Sequence, residues 1–237
     1  MPYAERRPSR DSGAGVACVW TRFGDTTPTR VLPDACADVI WHRETGELWL
    51  AGPDTTAKLS SPLPGTLVAI RYPSLRPAFG IPACDLVDAR VPLADLHPRA
   101  GELADRLAQT TTTADAQRVL TSALPAPADP LATELRRLAT TTGDVRGMAD
   151  RLNRSPRQLR RDCQAAFGYG PRMLHRVLRF SAAVSQARTG THFGAIAADL
   201  GYADQPHLAK DVREFAGVSL STLVGRGNLP VPRQIPE

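Results

Sequence analysis

Three arginines near the carboxyl end of the chain have the types and spacing for a defined chemistry. At about 100° per residue, Arg157, Arg160, Arg161 and Gln164 fall on one side of a predicted helix. The opposite side is apolar and holds Leu159, Cys163, Ala166 and Phe167. A guanidinium group binds phosphates and can donate two hydrogen bonds to the O6/N7 edge of guanine. The pattern predicts a DNA-contacting helix, and the alternative is a solvated basic face without a partner.

A shorter predicted helix precedes the basic one and positions it. Its apolar stripe, at spacings of i, i+3, i+4 and i+7, consists of Val145, Met148, Ala149 and Leu152. A turn follows at 153–154, Ser155 supplies an N-cap oxygen, and Pro156 occupies the first helical position, where a missing N–H costs nothing. The basic helix ends at Gly168. Two helices joined by so short a turn form a helix-turn-helix.

The same arrangement occurs a second time downstream. The apolar stripe of its first helix consists of Phe193, Ile196, Ala197 and Leu200. Asp204 caps a second helix that continues to Gly217, and the exposed positions of that helix are Gln205, Pro206, His207, Lys210 and Arg213. The predicted helix 171–188 between the two copies would span roughly 27 Å at ~1.5 Å per residue. Because successive major-groove faces lie roughly 34 Å apart, two basic helices at this separation can occupy adjacent turns of one groove.

Residues 131–225 resemble the DNA-binding domain of the AraC/XylS family of transcriptional regulators. The first copy carries Ala149-x-x-Leu152-x-x-Ser155-x-x-x-Leu159-x-Arg161 and Phe167-Gly168-x-x-Pro171. The second carries Ile196-Ala197-x-x-x-Gly201-Tyr202-x-Asp204, and the pattern is completed by Arg176-x-x-Arg179-Phe180 and Phe215-x-Gly217-Val218-Ser219. The chain departs from the family at Cys163 and Val212, where a Phe is usual, and at Leu220, where a Pro is common.

The resemblance implies two recognition helices that read one double-stranded DNA operator. Base-edge contacts, carried over by position, fall on Arg157, Arg160, Arg161, Gln205, His207 and Lys210. We predict contacts to the DNA backbone for Ser155, Gln164, Arg176, Arg179 and Arg213. The further partners expected of such a regulator are RNA polymerase, a small-molecule effector and a second copy of the chain.

The charge divides the 237-residue chain into two regions. Residues 1–130 hold 13 basic and 15 acidic side chains, whereas residues 131–237 hold 16 basic and 9 acidic ones, a net charge of +7. With 42% hydrophobic residues, the chain can form two modest cores. A near-neutral region joined to a basic one is typical of a sensor or assembly domain attached to a nucleic-acid binder.

Short strands separated by turns are predicted over residues 16–90. The candidates are 16–20, 30–33, 37–42, 47–51 and 66–72, which favour a small barrel or sandwich. The stretches Arg30-Val-Leu-Pro-Asp34-Ala-Cys-Ala-Asp38-Val-Ile-Trp41 and Ala51-Gly-Pro-Asp54-Thr resemble an uncharacterised N-terminal domain of actinobacterial AraC-type regulators. The predicted fold class is therefore α+β with two domains. The first is a β-rich barrel or sandwich with flanking helices, and the second is all-α, with two helix-turn-helix motifs joined by a linking helix.

Candidates for small-molecule chemistry lie in this β-rich region. Trp20, Trp41 and Trp49 are on predicted strands, and they line either a pocket for a small apolar or aromatic ligand or an ordinary core. Asp38 and His42 are four residues apart, ~13 Å on a strand, which is too far for one metal ion. We therefore expect no metal and no cofactor.

Four cysteines are scattered over the chain, at Cys18, Cys36, Cys84 and Cys163. This distribution fits a reducing cytosol better than a disulfide scaffold. Cys18 and Cys36 are either reactive thiols that face each other across strands or buried cysteines that pack as small apolar groups.

Composition predicts the domain boundaries. Residues 1–15 are predicted to be a flexible tail, and 16–124 a β-rich sensing or dimerisation domain with helices from about residue 92. Leucines at 93, 96, 103 and 107 in those helices form either a dimerisation face or a cap on the sheet. Residues 125–130 contain three prolines and are predicted to be a stiff hinge. Residues 131–225 form the DNA-binding domain, and 226–237 a disordered tail.

Together these observations favour a cytoplasmic, sequence-specific transcriptional regulator whose N-terminal domain responds to a ligand or mediates dimerisation. No apolar run reaches the ~18–20 residues needed to cross a membrane. No Ser/His/Asp, GxSxG, Walker or GxGxxG arrangement is present, so we expect no enzymatic activity. The alternatives are a DNA-binding protein with a reactive-cysteine alkyl-acceptor or a thiol- or metal-sensing N-terminal domain, and a purely architectural DNA binder.

Overall fold

The computed structural model describes residues 3–7, 15–24, 28–76, 79, 81–124, 126–142 and 144–225. The strands in these ranges are β1 Tyr3–Arg6, β2 Cys18–Phe23, β3 Thr29–Val31, β4 Ala37–His42, β5 Leu48–Ala51, β6 Lys58–Ser60, β7 Thr66–Tyr72 and β8 Arg90–Pro92. The α-helices are α1 Ala100–Ala108, α2 Thr113–Ala123, α3 Pro130–Thr141, α4 Val145–Arg151, α5 Pro156–Phe167, α6 Pro171–Arg188, α7 Phe193–Asp199, α8 Gln205–Ala216 and α9 Leu220–Gly225. Across these ranges, every helix is too short or too polar to cross a membrane.

The strands form one antiparallel sheet and a separate two-stranded ribbon. The sheet has the order β1-β2-β7-β4-β5-β8, and β3 pairs with β6 in what we call the β3–β6 ribbon. The predicted strands 37–42 and 66–72 coincide with β4 and β7. The predicted α+β class, with a β-rich region followed by a helical one, is confirmed, although the sheet is open at β1 and β8 and does not close into a barrel.

Alternation along the central strands divides the sheet into two faces. On one face Val39, Trp41, Val68 and Ile70 pack with leucines of α1 and α2 in a single core. Leu93, Leu103 and Leu107 are at most 2% exposed, so these leucines cap the sheet and do not form a dimerisation face. The other face carries Cys18, Trp20, Ile40, Leu67 and Ala69.

The predicted start of the helices near residue 92 is wrong. Residues 90–92 form strand β8, which pairs with β5, and Leu93–Asp95 is a 3-10 helix. Regular helix begins only at Ala100. Pro92 and Pro98 explain the delay, because each lacks an N–H and disfavours helical geometry in the residue before it.

Part of the predicted N-terminal tail belongs to the sheet. Tyr3–Arg6 pairs with β2 as an edge strand, in the register Tyr3↔Arg22 to Arg6↔Val19. The Tyr3 ring lies 5.8 Å from that of Trp20, and Glu5 forms an ion pair with Arg71 at 3.0 Å. Tyr3 and Glu5 are two residues apart and both contact residues of the sheet, as alternate residues of a strand do. Residues 8–14 of the predicted tail lie outside the described ranges.

Helices α3 to α9 share one core around the linking helix α6. At the centre of this core lie large side chains that are at most 1% exposed, including Leu135, Leu159, Phe167, Phe180 and Phe215. The predicted linking helix 171–188 coincides with α6. Leu32 and Ala35, which follow β3, also belong to this core, so the helical region packs against the β-rich one.

The segment predicted to be a hinge is packed where the structure describes it. Ala126 is buried, and its carbonyl accepts a hydrogen bond from the Gly15 amide at 2.9 Å. The Asp129 carboxylate caps α3 through the Ala132 amide and forms an ion pair with Arg76. Residues 126–129 are thus held by both regions of the protein, while the predicted disordered tail 226–237 lies outside the described ranges.

Candidate nucleic-acid interface and adjoining cavity

The first helix-turn-helix consists of α4, α5 and a tight turn. The Asp144 side chain caps α4 by accepting from the Gly147 amide at 2.8 Å. Asn153 adopts a φ of 49°, a left-handed conformation that asparagine tolerates, and reverses the chain. Ser155 and Gln158 then form a reciprocal capping box at the start of α5. The motif predicted from the sequence is present with its caps.

One side of α5 is buried and the other is exposed, as the periodicity predicts. Leu159, Cys163, Ala166 and Phe167 are at most 1% exposed. Arg157, Arg160 and Arg161 are exposed, as is Ser155, whereas Gln164 is half-buried. The three guanidinium groups therefore lie together on the accessible surface at the amino-terminal half of α5, which is the half that enters the major groove in this motif.

The second helix-turn-helix consists of α7 and α8. Asp204 caps α8 by accepting from the His207 amide at 2.7 Å. Gln205, Lys210 and Arg213 are exposed. His207 is half-buried. Nδ1 of its ring accepts a hydrogen bond from the Ala203 amide at 3.3 Å. The second recognition helix thus presents one lysine, one arginine and an amide where the first presents three arginines.

Arg176 and Arg179, predicted to contact the DNA backbone, form ion pairs that join α6 to α8. Arg176 Nη2 lies 2.8 Å from Asp211 Oδ1 and 2.7 Å from Glu214 Oε2. Arg179 Nη2 lies 3.0 Å from Asp211 Oδ2. We call these four residues the α6–α8 clamp. Asp211 is buried at the centre of the clamp and accepts from both arginines.

Aromatic rings complete the clamp. The Arg176 guanidinium lies 4.9 Å from the centre of the Phe215 ring, and that of Arg179 lies 3.9 Å from the centre of the Tyr202 ring. Hydrogen bonding to Glu214 raises the pKa of Arg176 above its ordinary value, and the same contact lowers the pKa of Glu214. Both arginines are at most 26% exposed, so their charge is largely committed within the protein.

A further arginine, to which the sequence analysis assigned no role, lies at the start of α6. Arg172 is exposed on the first turn of α6 and lines two adjoining grooves, one with Arg160 and the other with His207. The only sequence clue was its position directly after Pro171, which starts the linking helix. The helical period of the sequence had predicted no interaction partner for Arg172.

A cavity of about 400 Å³ lies between the sheet and the β3–β6 ribbon. Trp20 of β2 and Trp49 of β5 line it, in agreement with the first of the two alternatives considered for the tryptophans. Trp41 does not, because it follows Ile40 on β4 and therefore faces the opposite side of the sheet, where it is 1% exposed beneath the helices. Two of the three tryptophans thus face the cavity, and the third belongs to the core.

The charged side chains of the cavity are arranged in pairs. Arg71 lies 3.0 Å from Asp38 and 3.7 Å from Asp34. Arg90 pairs with Asp54 at 2.9 Å. Burial raises the pKa of Asp34 and of Asp54 above the ordinary value, in spite of the neighbouring guanidinium groups. Burial outweighs ion pairing at this end of the cavity.

His42, Cys18 and Cys36, which were considered for metal or thiol chemistry, are buried or half-buried. Within the described ranges, no three His, Cys, Asp or Glu side chains cluster as metal ligands would. His42 is buried, and its two ring nitrogens contact the Pro64 carbonyl and the Thr45 amide. Burial raises the pKa of Cys36 to about 12 and that of Cys18 further, so both thiols are protonated at neutral pH and are poor nucleophiles.

The carboxyl-terminal end of α5 is fixed against the β-rich region. Gly168 ends the helix with a φ of 82°, and a Cβ there would meet the Val87 side chain and lie 2.9 Å from the Ala83 carbonyl oxygen. The next residue, Tyr169, donates its hydroxyl proton to the Asp54 carbonyl at 3.1 Å. The Asp54 residue that holds α5 therefore also lines the cavity.

The carboxyl-terminal end of α8 is held by the β3–β6 ribbon. Arg30 Nη1 donates to the Ala216 carbonyl at 2.6 Å, and the Ala57 amide, directly before β6, donates to the Phe215 carbonyl at 2.7 Å. Both strands of the ribbon also line the cavity. Both recognition helices thus end on segments that form the cavity wall.

Comparison with known proteins identifies the same carboxyl-terminal region. A family model described as a helix-turn-helix domain matches residues 148–226. No curated protein matches the chain.

Several solved structures of ToxT from Vibrio cholerae are similar to the chain. An apo variant from strain SCE256 is 13% identical, with 93% of this chain and 99% of that chain covered and a TM-score of 0.48. The unsaturated fatty acid-bound wild-type protein is 13% identical, with 87% and 93% covered and a TM-score of 0.46. ToxT bound to (E)-4-(8-methylnaphthalen-1-yl)but-3-enoic acid is 11% identical, with 95% and 99% covered and a TM-score of 0.48.

The assignment of the domain rests on the matched residues and on the two capped motifs, and it agrees with the sequence resemblance. Residues 148–226 belong to the helix-turn-helix domain family and are of the AraC type.

Proposed function

We propose that the protein is a sequence-specific transcriptional regulator that binds one DNA duplex through α5 and α8. The observation that carries the proposal is the pair of capped helices whose buried sides share one core while their amino-terminal halves are exposed. The net charge of +7 on residues 131–237 supplies the attraction for phosphates. The length of α6, roughly 27 Å for eighteen residues, suits adjacent turns of the major groove.

Base readout is assigned to the exposed side chains of the two helices. These are Arg157, Arg160 and Arg161 on α5, and Gln205, His207 and Lys210 on α8. Ser155, Gln164 and Arg213 are assigned to the DNA backbone. Because Arg176 and Arg179 are engaged in the clamp, we assign them to positioning α8 and give the backbone contact at α6 to Arg172.

The N-terminal region is proposed to sense a small molecule in the cavity. The contacts of Asp54, Arg30 and Ala57 with the ends of α5 and α8 support this role, because a displacement of the cavity wall displaces the helices. Dimerisation and contact with RNA polymerase remain predictions. If two copies associate, the buried leucines of α1 and α2 cannot mediate it.

Selection of bound sequences from a random DNA library tests the proposal. The full chain should enrich one sequence, and hydroxyl-radical footprinting should protect two segments about one helical turn apart on the same face of the duplex. The matched control is an Arg157→Ala/Arg161→Ala double variant, which should enrich no sequence while retaining its helical circular dichroism. Failure of the unmodified protein to enrich any sequence would contradict the proposal.

A further inference from the structure

We infer that the cavity between Trp20 and Trp49 binds an uncharged, apolar molecule rather than an organic acid or amine. The inference deepens the proposed sensing role and rests on it only for the effect on DNA binding. Binding of the small molecule itself can be measured without DNA.

The walls of the cavity supply apolar contact on two sides. Trp20, Ile40 and Leu67 come from the sheet, and Val31 and Leu59 from the β3–β6 ribbon. A volume of about 400 Å³ lies within the usual range for small-molecule sites. The Trp20 indole donates its N–H to Asp38 at 2.8 Å, so its ring offers a face and not a hydrogen bond. The cavity therefore favours a ligand that gains chiefly from burial of apolar surface.

Exposed apolar side chains lie beside this cavity. In the part of the chain that the structure describes, the large apolar residues left exposed are Phe23, Val31 and Leu59, at 45%, 37% and 62%. Val31 and Leu59 both lie on the ribbon and line the cavity. An exposed apolar side chain contacts water at a cost, and the two on the ribbon lie beside the cavity. The ribbon thus contributes two apolar side chains to the cavity lining.

Charge pairing argues against a charged ligand. Each carboxylate that lines the cavity lies within ion-pair distance of a cationic group: Asp34 and Asp38 of Arg71, which also pairs with Glu5, Asp54 of Arg90, and Asp88 of Lys58 at 3.2 Å. Arg22, the remaining charged residue of the described lining, also has an interaction partner. A carboxylate or ammonium on the ligand would have to break a pair or remain buried without a counter-charge, and either is costly.

Three eight-carbon compounds separate the ligand classes. We would titrate the full chain with 1-octanol, octanoate and octylamine, each below its aggregation concentration, and follow tryptophan fluorescence and heat of binding. We expect 1-octanol to bind at least about tenfold more tightly than either ion, since burial of a charge without a partner is costly. Equal or tighter binding of octanoate or octylamine would overturn the inference, as would absence of 1-octanol binding.

Variants locate the site. Trp41→Phe, on the other face of the sheet, should leave the fluorescence response intact. Ala51→Leu should abolish 1-octanol binding, because Ala51 lines the cavity and is 6% exposed, so added carbons fill the space. Leu59→Ser changes an exposed residue that the fold does not need, and it should weaken binding severalfold while the unfolding midpoint stays unchanged. Undiminished binding in both cavity variants would show that 1-octanol binds elsewhere.

The effect on DNA is measured separately by fluorescence anisotropy with the selected operator. Saturating 1-octanol should change operator affinity at least about threefold in the unmodified protein. Arg30→Ala should keep 1-octanol affinity but lose that change, because Arg30 joins the ribbon to α8. Arg43→Ala is the matched control, since Arg43 donates to carbonyls of the β-rich region alone. If 1-octanol binds but operator affinity does not move, the ligand class stands and its regulatory effect does not.

Discussion

The two helix-turn-helix motifs share one frame but use their charged residues differently. On α5 the three arginines are exposed and the apolar side is fully buried. On α8 two acidic residues, Asp211 and Glu214, point to α6 and pair with its arginines. Charge on the first recognition helix is available to DNA, whereas much of the charge around the second fixes its position.

This difference indicates a division of labour. A planar guanidinium group presents two N–H donors to guanine in a fixed fork, whereas a lysine ammonium is a point charge without that fork. We therefore expect α5 to determine most of the sequence preference and α8 mainly to anchor the protein and set the spacing. The clamp suits this role, because it holds α8 rigidly to the linking helix α6.

Removing the centre of the clamp should give the largest effect. Asp211→Ala leaves Arg176 and Arg179 without their shared buried carboxylate, and we expect a loss of about 2–4 kcal/mol in the free energy of unfolding of the helical region. Urea denaturation followed by circular dichroism measures this loss. Glu214→Gln is the control, because Glu214 is 51% exposed and its removal should cost less than about 1 kcal/mol. A loss below about 1 kcal/mol in Asp211→Ala as well would show that α8 is held by its apolar side alone.

Substitution of the α5 arginines should come next in size. Arg157→Ala and Arg161→Ala should each cost roughly 1–3 kcal/mol at the selected operator and relax preference at the bases they contact. Their exposure predicts little change in unfolding free energy. Anisotropy titrations with the operator and with single-base variants provide the measurement. A uniform loss across all sequences would reassign these residues to phosphates.

The helical region was predictable because its rules are local. The caps, the helical period and the terminal glycines of α5 and α8 each depend on residues only a few positions apart. The motifs and the bounds of α6 could therefore be predicted from the sequence. The AraC-type domain was recognisable from the same positions, and the match over 148–226 confirms it.

Contacts between distant segments could not be predicted in the same way. Arg176 and Arg179 were assigned to DNA because a basic residue on a helix gives no sign of its partner, and Asp211 lies more than thirty positions away. Trp41 was grouped with Trp20 and Trp49 because strand register, which sets the face, depends on pairing with β5 and β7. The strand at residues 3–6 was missed because four residues beside a basic stretch carry little pattern.

The third prediction compares the motifs on DNA directly. Gln205→Ala and Lys210→Ala should each weaken operator binding by less than about 1 kcal/mol, because neither side chain has the planar fork of a guanidinium group. Randomising the operator half beneath α8 should cost less affinity than randomising the half beneath α5. A sharper preference beneath residues 205–210 would reverse the proposed division of labour.

The smallest expected effect concerns pH and the outer contact of the clamp. Hydrogen bonding to Arg176 lowers the pKa of Glu214 below its ordinary value, so the folded protein binds this proton less readily than the unfolded chain. The stability that the contact contributes is therefore fully present above about pH 4.5 and is lost as the pH falls through the lowered value. Because Glu214 is 51% exposed, solvent screening limits the contribution to a few tenths of a kcal/mol.

Urea unfolding of the unmodified protein and of Glu214→Gln, at pH 7 and at pH 3, isolates this contribution. The unmodified protein should be slightly the more stable at pH 7, and the difference should be smaller at pH 3. A difference that is the same at both pH values would show that the Glu214 side chain stabilises α8 by packing and not by its charge.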